Sequence, residues 1–414
     1  MNILIVNLHS ALNLGDDAIM KGTLASLYKI YPSARIVAAA NDPQSWRKYP
    51  ELESVNSLCN WIGDCRLGRF RHRMYRMPVY LVLLTLAAVL YRGVRIRLLF
   101  GSLEQRRLLA AYYNADMVVS CGGGNFYAHH PRSPALVWAL LSLAFGQALG
   151  KQTVMLPQSV GPIEGKLQRR LASGILSRVS CLLVREPRSA IFLTQVLKIR
   201  RPAVLLPDLA FGLPPSAPIR PDDPADSTVK IGLTIIDRGA QDRQFQRQAA
   251  YEKNLQELLE KLGRYKRSEV HIFVQCYGPS PDQDDRHAAR RVYQVLQDRL
   301  PAVTLHADFT DALAIQAAYR SMDLIIGTRL HTGILALSCG VPAILISYQP
   351  KTLGVMELLK LQEYCRDIEQ LEAGGLYELA CQVLENKSLI RQEFAQAYRQ
   401  AHDQLRHLRT HLEG

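Results

Sequence analysis

The strongest constraint on this chain is the alternation of two periodicities along its length. Residues 3–8 form a short, mostly apolar run, followed by His9 and Ser10. After Asn13-Leu14-Gly15-Asp16-Asp17, residues 18–30 repeat their apolar positions with helical spacing. The same unit recurs. Strands are expected at 35–40, at 117–120 (closed by Gly122-Gly123-Gly124), at 153–156 (closed by Pro157), at 181–185 and at 204–206. Helices are expected at 137–149, 167–177 and 187–197. Short apolar runs separated by helices pair as parallel strands covered on both faces. The fold class is therefore α/β with Rossmann-like units.

The chain has 414 residues, more than one hydrophobic core normally serves. The pattern pauses at residues 213–228, which hold five prolines, and then restarts. Strands are expected at 230–235, 270–275, 324–326 and 343–347, with helices at 251–262, 287–300, 313–320 and 332–338. This divides the chain into an N-terminal Rossmann-like domain (1–212), a linker (213–228), a second Rossmann-like domain (229–388) and a charged C-terminal helix (389–414). With 48% hydrophobic and 21% charged residues, the composition is globular and excludes extended disorder. The N-terminus reads as a first strand rather than a secretory signal. The eight cysteines form no Cys-x-x-Cys pair, so free thiols in a reducing, cytoplasmic compartment are expected, with no metal site.

The net charge is +13, and it is unevenly spread. Between Arg66 and Arg107 lie ten arginines and a single acid, Glu104. This basic insertion, about 62–107, surrounds an apolar segment at 77–91 that falls short of the roughly 20 residues a bilayer span needs. Two readings fit the segment: a buried core helix, or an element that docks on an anionic membrane. Nucleic acid is not expected, because aromatic residues are not interleaved with the arginines.

Ligands of open α/β sheets bind outside the carboxyl ends of the strands. Five segments of unusual chemistry lie at such ends. Asn13, Gly15, Asp16 and Asp17 open a helix, where either aspartate is a candidate base or a helix cap. Gly123, Gly124 and Asn125 follow a buried strand, and their backbone could approach a ligand closely. Gln158 and Ser159 lie in a loop stiffened by Pro157 and Pro162. Arg185 offers a planar fork to an anion. The fifth segment, Gly327-Thr328-Arg329-Leu330-His331, joins an anion-binding arginine to a side chain that exchanges protons near neutral pH. Lys351, after the next strand, is a further candidate for phosphate contact.

Taken in order, these pieces resemble the polysaccharide pyruvyl transferase family. They are Asn13-Leu14-Gly15-Asp16, Asp116 with Gly122-Gly123-Gly124, the 157–162 loop, Arg185-Glu186, Pro207-Asp208-Leu209-Ala210-Phe211 and Gly327-Thr328-Arg329-Leu330-His331. The basic insertion is not part of the family core. The resemblance implies a GT-B-like pair of domains with the site in an interdomain cleft. It implies transfer of a pyruvyl group from phosphoenolpyruvate to two hydroxyls of a glycan or lipid-linked glycan, with release of phosphate and no cofactor. His331 would protonate the enol carbon. Arg329, Leu330, Arg185 and Lys351 would hold phosphoenolpyruvate, and Asp16, Asp17 or Asp208 would accept a proton. Asn13, Gly15, Gly123, Gly124, Asn125, Gln158 and Ser159 would line acceptor or phosphate loops. A nucleotide-sugar glycosyltransferase and a non-catalytic anion- or glycan-binding protein are the competing classes.

Overall fold

The computed structural model of the chain describes every residue except 64–73, 129–132, 215–227, 243, 266 and 414. Most of the expected linker lies outside the described residues. So do Cys65, Arg66, Arg69, Arg71 and Arg73 of the basic insertion. The seven described cysteines are all free thiols.

The chain forms two compact units. One comprises Met1–Ala11, Ile19–Leu209 and Leu405–Gly414; the other comprises Leu12–Ala18 and Ala210–Gln404. The division departs from the expected one at both ends of the chain. The loop carrying Asn13 to Asp17 belongs to the second unit, and the last residues belong to the first. The expected C-terminal helix is broken accordingly, into Lys387–Gln404, a short turn at Leu405–His407, and Leu408–Glu413.

The first unit holds β1 (Asn2–Leu8), β2 (Arg35–Ala40), β3 (Glu53–Asn56), β4 (Met117–Ser120), β5 (Gly123–Ala128), β6 (Gln152–Ile163), β7 (Cys181–Val184) and β8 (Val204–Leu205). Their order is β3-β2-β1-β4-β6-β7-β8, with β5 alongside β6, and the pairings are parallel. The second unit holds β9 (Val229–Thr234), β10 (Ser268–Phe273), β11 (Val303–His306), β12 (Leu324–Gly327), β13 (Ala343–Ser347) and β14 (Cys365–Asp367). Their order is β11-β10-β9-β12-β13-β14, again parallel. Leu324, Ile325 and Ile326 are fully buried, as a central strand covered on both faces requires. In each sheet the winding reverses beside the first strand, between β1 and β4 and between β9 and β12. Such switch points open the crevice in which doubly wound sheets bind ligands.

Three local expectations are corrected. The glycine run closes β4 as expected, but it also opens a further strand. Gly123 and Gly124 begin β5, which pairs with the far half of β6. Glycine is used differently at two of these positions: a Cβ at Gly122, just before β5, would lie 3.0 Å from the Pro157 carbonyl oxygen, and Gly123 has a φ of 121°. The 157–162 segment is likewise strand, since β6 continues to Ile163. Finally, 77–91 belongs to a helix, Met77–Val94, that is not a buried core helix. Only 22% of it is buried. Leu84, Ala87, Ala88 and Tyr91 face the core of the first unit, while Val79, Val82, Leu86 and Val89 are exposed. At 18 residues it is long and apolar enough to cross a membrane by length and composition alone.

Candidate active site

The switch point of the second sheet brings several polar side chains together. β12 ends at Gly327, and the helix Leu330–Ser338 begins after Arg329, whose backbone is extended. The connection is therefore a tight turn, and its two flanks are locked differently. On the inner side, the Thr328 hydroxyl lies 2.5 Å from the Tyr251 hydroxyl. The buried Thr332 hydroxyl lies 2.9 Å from that of Thr234 at the end of β9 and donates to Gln275. On the outer side, Arg329 donates from Nε and Nη2 to both oxygens of Asp285, at 2.8 and 2.6 Å. The Asp285 side chain is only 2% exposed. Burial pushes its carboxyl up to about 6, against the pull of the adjacent guanidinium. Arg329 shows the opposite balance: burial disfavours its charge, but the Asp285 carboxylate outweighs that and holds its proton well above the ordinary range.

His331 is the second residue of that helix, and the Asn13–Asp17 loop is packed against it. The loop is stapled to the chain leaving β10. Leu14 N–H donates to the Gln275 carbonyl at 3.0 Å, and Tyr277 N–H donates to the Leu12 carbonyl at 2.8 Å. Asn13 caps the helix Leu14–Ile30 by accepting from Gly15 N–H at 3.0 Å. The cap is thus Asn13, not either aspartate. A Cβ built on Gly15 would overlap the imidazole, lying 2.7 Å from His331 Cγ. Glycine is therefore needed here because the His331 ring occupies the space of a side chain.

The two aspartates of the loop separate in role. Asp17 is fully buried and accepts from Ala312 N–H at 2.8 Å, at the start of the helix Ala312–Tyr319. It anchors the loop and has no face for a substrate. Asp16 is half-buried and accepts from the Asn13 side-chain amide at 3.2 Å. Together with Arg329 and Asp285 it acts electrostatically on the buried Cys276 thiol, which burial pushes up to about 12. Leu330 has a buried side chain and contributes its backbone N–H to the positive end of its helix. Lys351 is half-buried in the first turn of the helix Pro350–Leu358, after β13.

The remaining expected site residues lie in the first unit, and most are internal ties. Arg185 is 1% exposed; it donates to the Ser159 hydroxyl at 2.8 Å and to the buried Asp208 carboxylate. That pair is sealed, so neither Arg185 nor Asp208 presents a surface that a dissolved ligand meets. Gln158 is equally buried and donates to the Ser120 hydroxyl at 2.7 Å and to the Cys121 carbonyl. The Asn125 amide donates to the Asn7 carbonyl at 3.0 Å. Gly123 and Gly124 are the first two residues of β5.

Sequence reasoning passed over Arg238, Tyr348 and Asp285. Arg238 follows the end of β9 and stacks its guanidinium over the Tyr348 ring at 5.5 Å while pairing with Asp242 at 2.6 Å. The signal applied to Arg185, an arginine directly after a strand, is weaker here, since Arg238 lies four residues past the end of β9. Asp285 carries no local signal; only the fold brings it to Arg329.

Comparison with known proteins identifies the family and the fold. The profile of the polysaccharide pyruvyl transferase family matches residues 13–350. The amylovoran biosynthesis protein AmsJ of Erwinia amylovora is 25% identical over 425 residues, covering 97% of this chain and 96% of its own. Among solved structures, a putative UDP-N-acetylglucosamine 2-epimerase from Listeria monocytogenes aligns with a TM-score of 0.58 at 12% identity, over 95% of this chain and 90% of its own. The UDP-GlcNAc 2-epimerase from Neisseria meningitidis, bound to UDP-GlcNAc, gives 0.57 at 10% identity over 100% of both chains. At such identities the likeness is one of fold alone, and it places the chain in the GT-B-type α/β class. The family match begins at Asn13 and takes in both the loop and the strand end that meet at His331 and Gly15, and the chain belongs to the polysaccharide pyruvyl transferase family.

Proposed function

We propose that the protein transfers a pyruvyl group from phosphoenolpyruvate to two hydroxyls of a glycan, forming a cyclic ketal and releasing phosphate. The observation that carries the proposal is the packing of His331 against Gly15, at a helix N-terminus and next to Arg329 in its Asp285 clamp. His331 donates a proton to the methylene carbon of phosphoenolpyruvate. The neighbouring carbon becomes an oxocarbenium-like electrophile, and a sugar hydroxyl adds to it. Phosphate then departs, and the second hydroxyl closes the ring. One proton is consumed at the methyl group and two leave the hydroxyls. One of these restores His331, and the other departs with phosphate.

Asp16 relays the second hydroxyl proton to the departing phosphate and is left ionised, because Asp17 is committed to Ala312 and Asp208 to Arg185. Arg329, the first-turn N–H groups of Leu330 and His331, Lys351 and Arg238 form the anion-binding set. Phosphoenolpyruvate acts as co-substrate, and the reaction as written uses no cofactor. It runs in the cytoplasm, on an acceptor that is a polysaccharide or a lipid-linked precursor.

The test is phosphate release from phosphoenolpyruvate with galactosides, glucosides and N-acetylmannosaminides as acceptors. Release that requires an acceptor and disappears in His331→Ala supports the reading. No release with any acceptor, together with nucleoside diphosphate release from a nucleotide-sugar, would replace it with a glycosyltransferase. Ligand binding without turnover, indifferent to His331→Ala, would leave a binding protein.

A further inference from the structure

The helix Met77–Val94 has two faces of unlike fate. Leu84, Ala87, Ala88 and Tyr91 are buried in the core of the first unit, together with Trp138. Tyr91 is further fixed by the Tyr113 ring at 5.0 Å and by Lys151, whose Nζ donates to its hydroxyl at 3.3 Å. The opposite face carries Val79, Val82, Leu86 and Val89, exposed by 58, 67, 45 and 62%. Their spacing places them on one continuous stripe. No charged residue interrupts the stripe between Arg76 and Arg92. Single exposed apolar residues are ordinary, whereas a contiguous stripe of this kind marks a contact surface.

The charges beside the stripe identify what covers it. Arg76 stands at one end and Arg92, Arg95 and Arg97 at the other, all exposed, and no acid occurs between residues 76 and 103. Ile96, Leu99 and Leu103 extend the exposed apolar surface past the helix. We infer that this face lies in the plane of an anionic membrane surface, with Val79, Val82, Leu86 and Val89 among the acyl chains and the arginines on lipid phosphates. An amphipathic helix with cationic flanks binds such an interface through both terms. The helix does not span the bilayer, because its other face is held along its length by the protein core. A second copy of the chain is a poorer occupant: antiparallel two-fold pairing would bring Arg76 onto Arg92 and Arg95, with no acid to balance them.

The test is co-sedimentation of the full chain with vesicles of phosphatidylcholine alone or mixed with phosphatidylglycerol. It needs no enzymatic turnover, so its outcome is independent of the transferase proposal. The wild-type protein is expected to sediment with the anionic vesicles, and less so in high salt. Val82→Ser with Val89→Ser should lower partitioning at least tenfold while leaving the thermal midpoint unchanged, since both side chains are exposed. Arg76→Ser and Arg92→Ser should each lower it about fivefold, on anionic vesicles only. Wild-type protein that stays in the supernatant overturns the inference, as does equal sedimentation of the valine pair. A solution dimer that the valine changes dissociate, without vesicle binding, overturns it in favour of self-association.

Discussion

Gly15→Ala isolates the contact on which the proposed chemistry rests. A Cβ at Gly15 would stand 2.7 Å from His331 Cγ and 3.1 Å from His331 Cβ. Carbon atoms pack at about 3.5–4.0 Å, so the imidazole must retreat by roughly 1 Å. Misplacing a reacting group by about 1 Å costs on the order of 10²-fold in rate, which corresponds to about 2.7 kcal/mol of barrier. The backbone itself accepts the change, because Gly15 is helical and is not among the residues of positive φ. Alanine there removes freedom from the unfolded chain, worth about 0.4–1 kcal/mol in favour of the fold. Phosphate release should therefore fall about a hundredfold, and the overlap should cost about 1–3 kcal/mol of stability, too little to unfold the protein at the assay temperature. On a His331→Ala background the same substitution should cost almost nothing more, because its effect passes through the ring. Activity within about threefold of wild type would refute the placement of His331 at the reacting carbon, as would full additivity of the two changes.

Other perturbations separate scaffold from chemistry. Asp17→Ala leaves the buried Ala312 N–H without its acceptor and should cost about 1–3 kcal/mol in urea unfolding; Asp16→Asn should leave stability within about 0.5 kcal/mol and lower turnover. Arg185→Ala removes the guanidinium that pairs with the buried Asp208 carboxylate and should cost roughly 3–5 kcal/mol, whereas the KM for phosphoenolpyruvate of the folded fraction should not change. Asp285 titrates near 6 in the folded protein, above the 3.8 of an unperturbed aspartate, because burial disfavours its charge. The folded state then holds the extra proton across that window, so this group's contribution to stability grows as pH falls and is lost as pH rises through about 6. The Arg329 clamp is released over the same window. Turnover should therefore drop below pH 6 without a matching loss of thermal stability from this group, and Asp285→Asn should remove that acid limb.

The alternation of strand and helix was legible because it is a local property. β1, β4, β9 and β12 fall where apolar runs predicted them. The turn at Arg329 was legible for the same reason, since a strand end and a helix start adjoin within a few residues. Contacts that join distant segments were not. Gly15 and His331 each drew notice, but nothing in either segment says that one packs on the other. The Gly122–Gly124 run was read as closing a strand and leaving backbone open to a ligand, whereas the strand it opens, β5, pairs with residues of β6 more than thirty positions later. Arg185 and Arg238 show the limit most plainly. Both follow strand ends, yet one is sealed against Asp208 and the other stacks on Tyr348. A strand-end arginine predicts position, and burial decides purpose.

That distinction changes how the anion must be held. Arg329 enters the site with its charge already opposed by Asp285, and its bonds to that carboxylate use Nε and Nη2. A bidentate clamp of this kind fixes orientation more than it supplies net positive charge. In the proposed reaction phosphoenolpyruvate brings several negative charges, so the balance must come from elsewhere in the same unit. The N-terminal turn of Leu330–Ser338 offers N–H dipoles, while Lys351 and Arg238 stand after the neighbouring strands β13 and β9. Arg238 is itself opposed by Asp242, whose side chain is 35% exposed and is correspondingly screened by water. Substituting Arg329→Lys would therefore disturb geometry before charge, whereas Lys351→Ala would remove charge and leave the clamp intact. The first should appear mainly in kcat and the second mainly in the KM for phosphoenolpyruvate. The reverse pattern would mean that Arg329 is the principal cation and that the Asp285 pair opens when substrate binds.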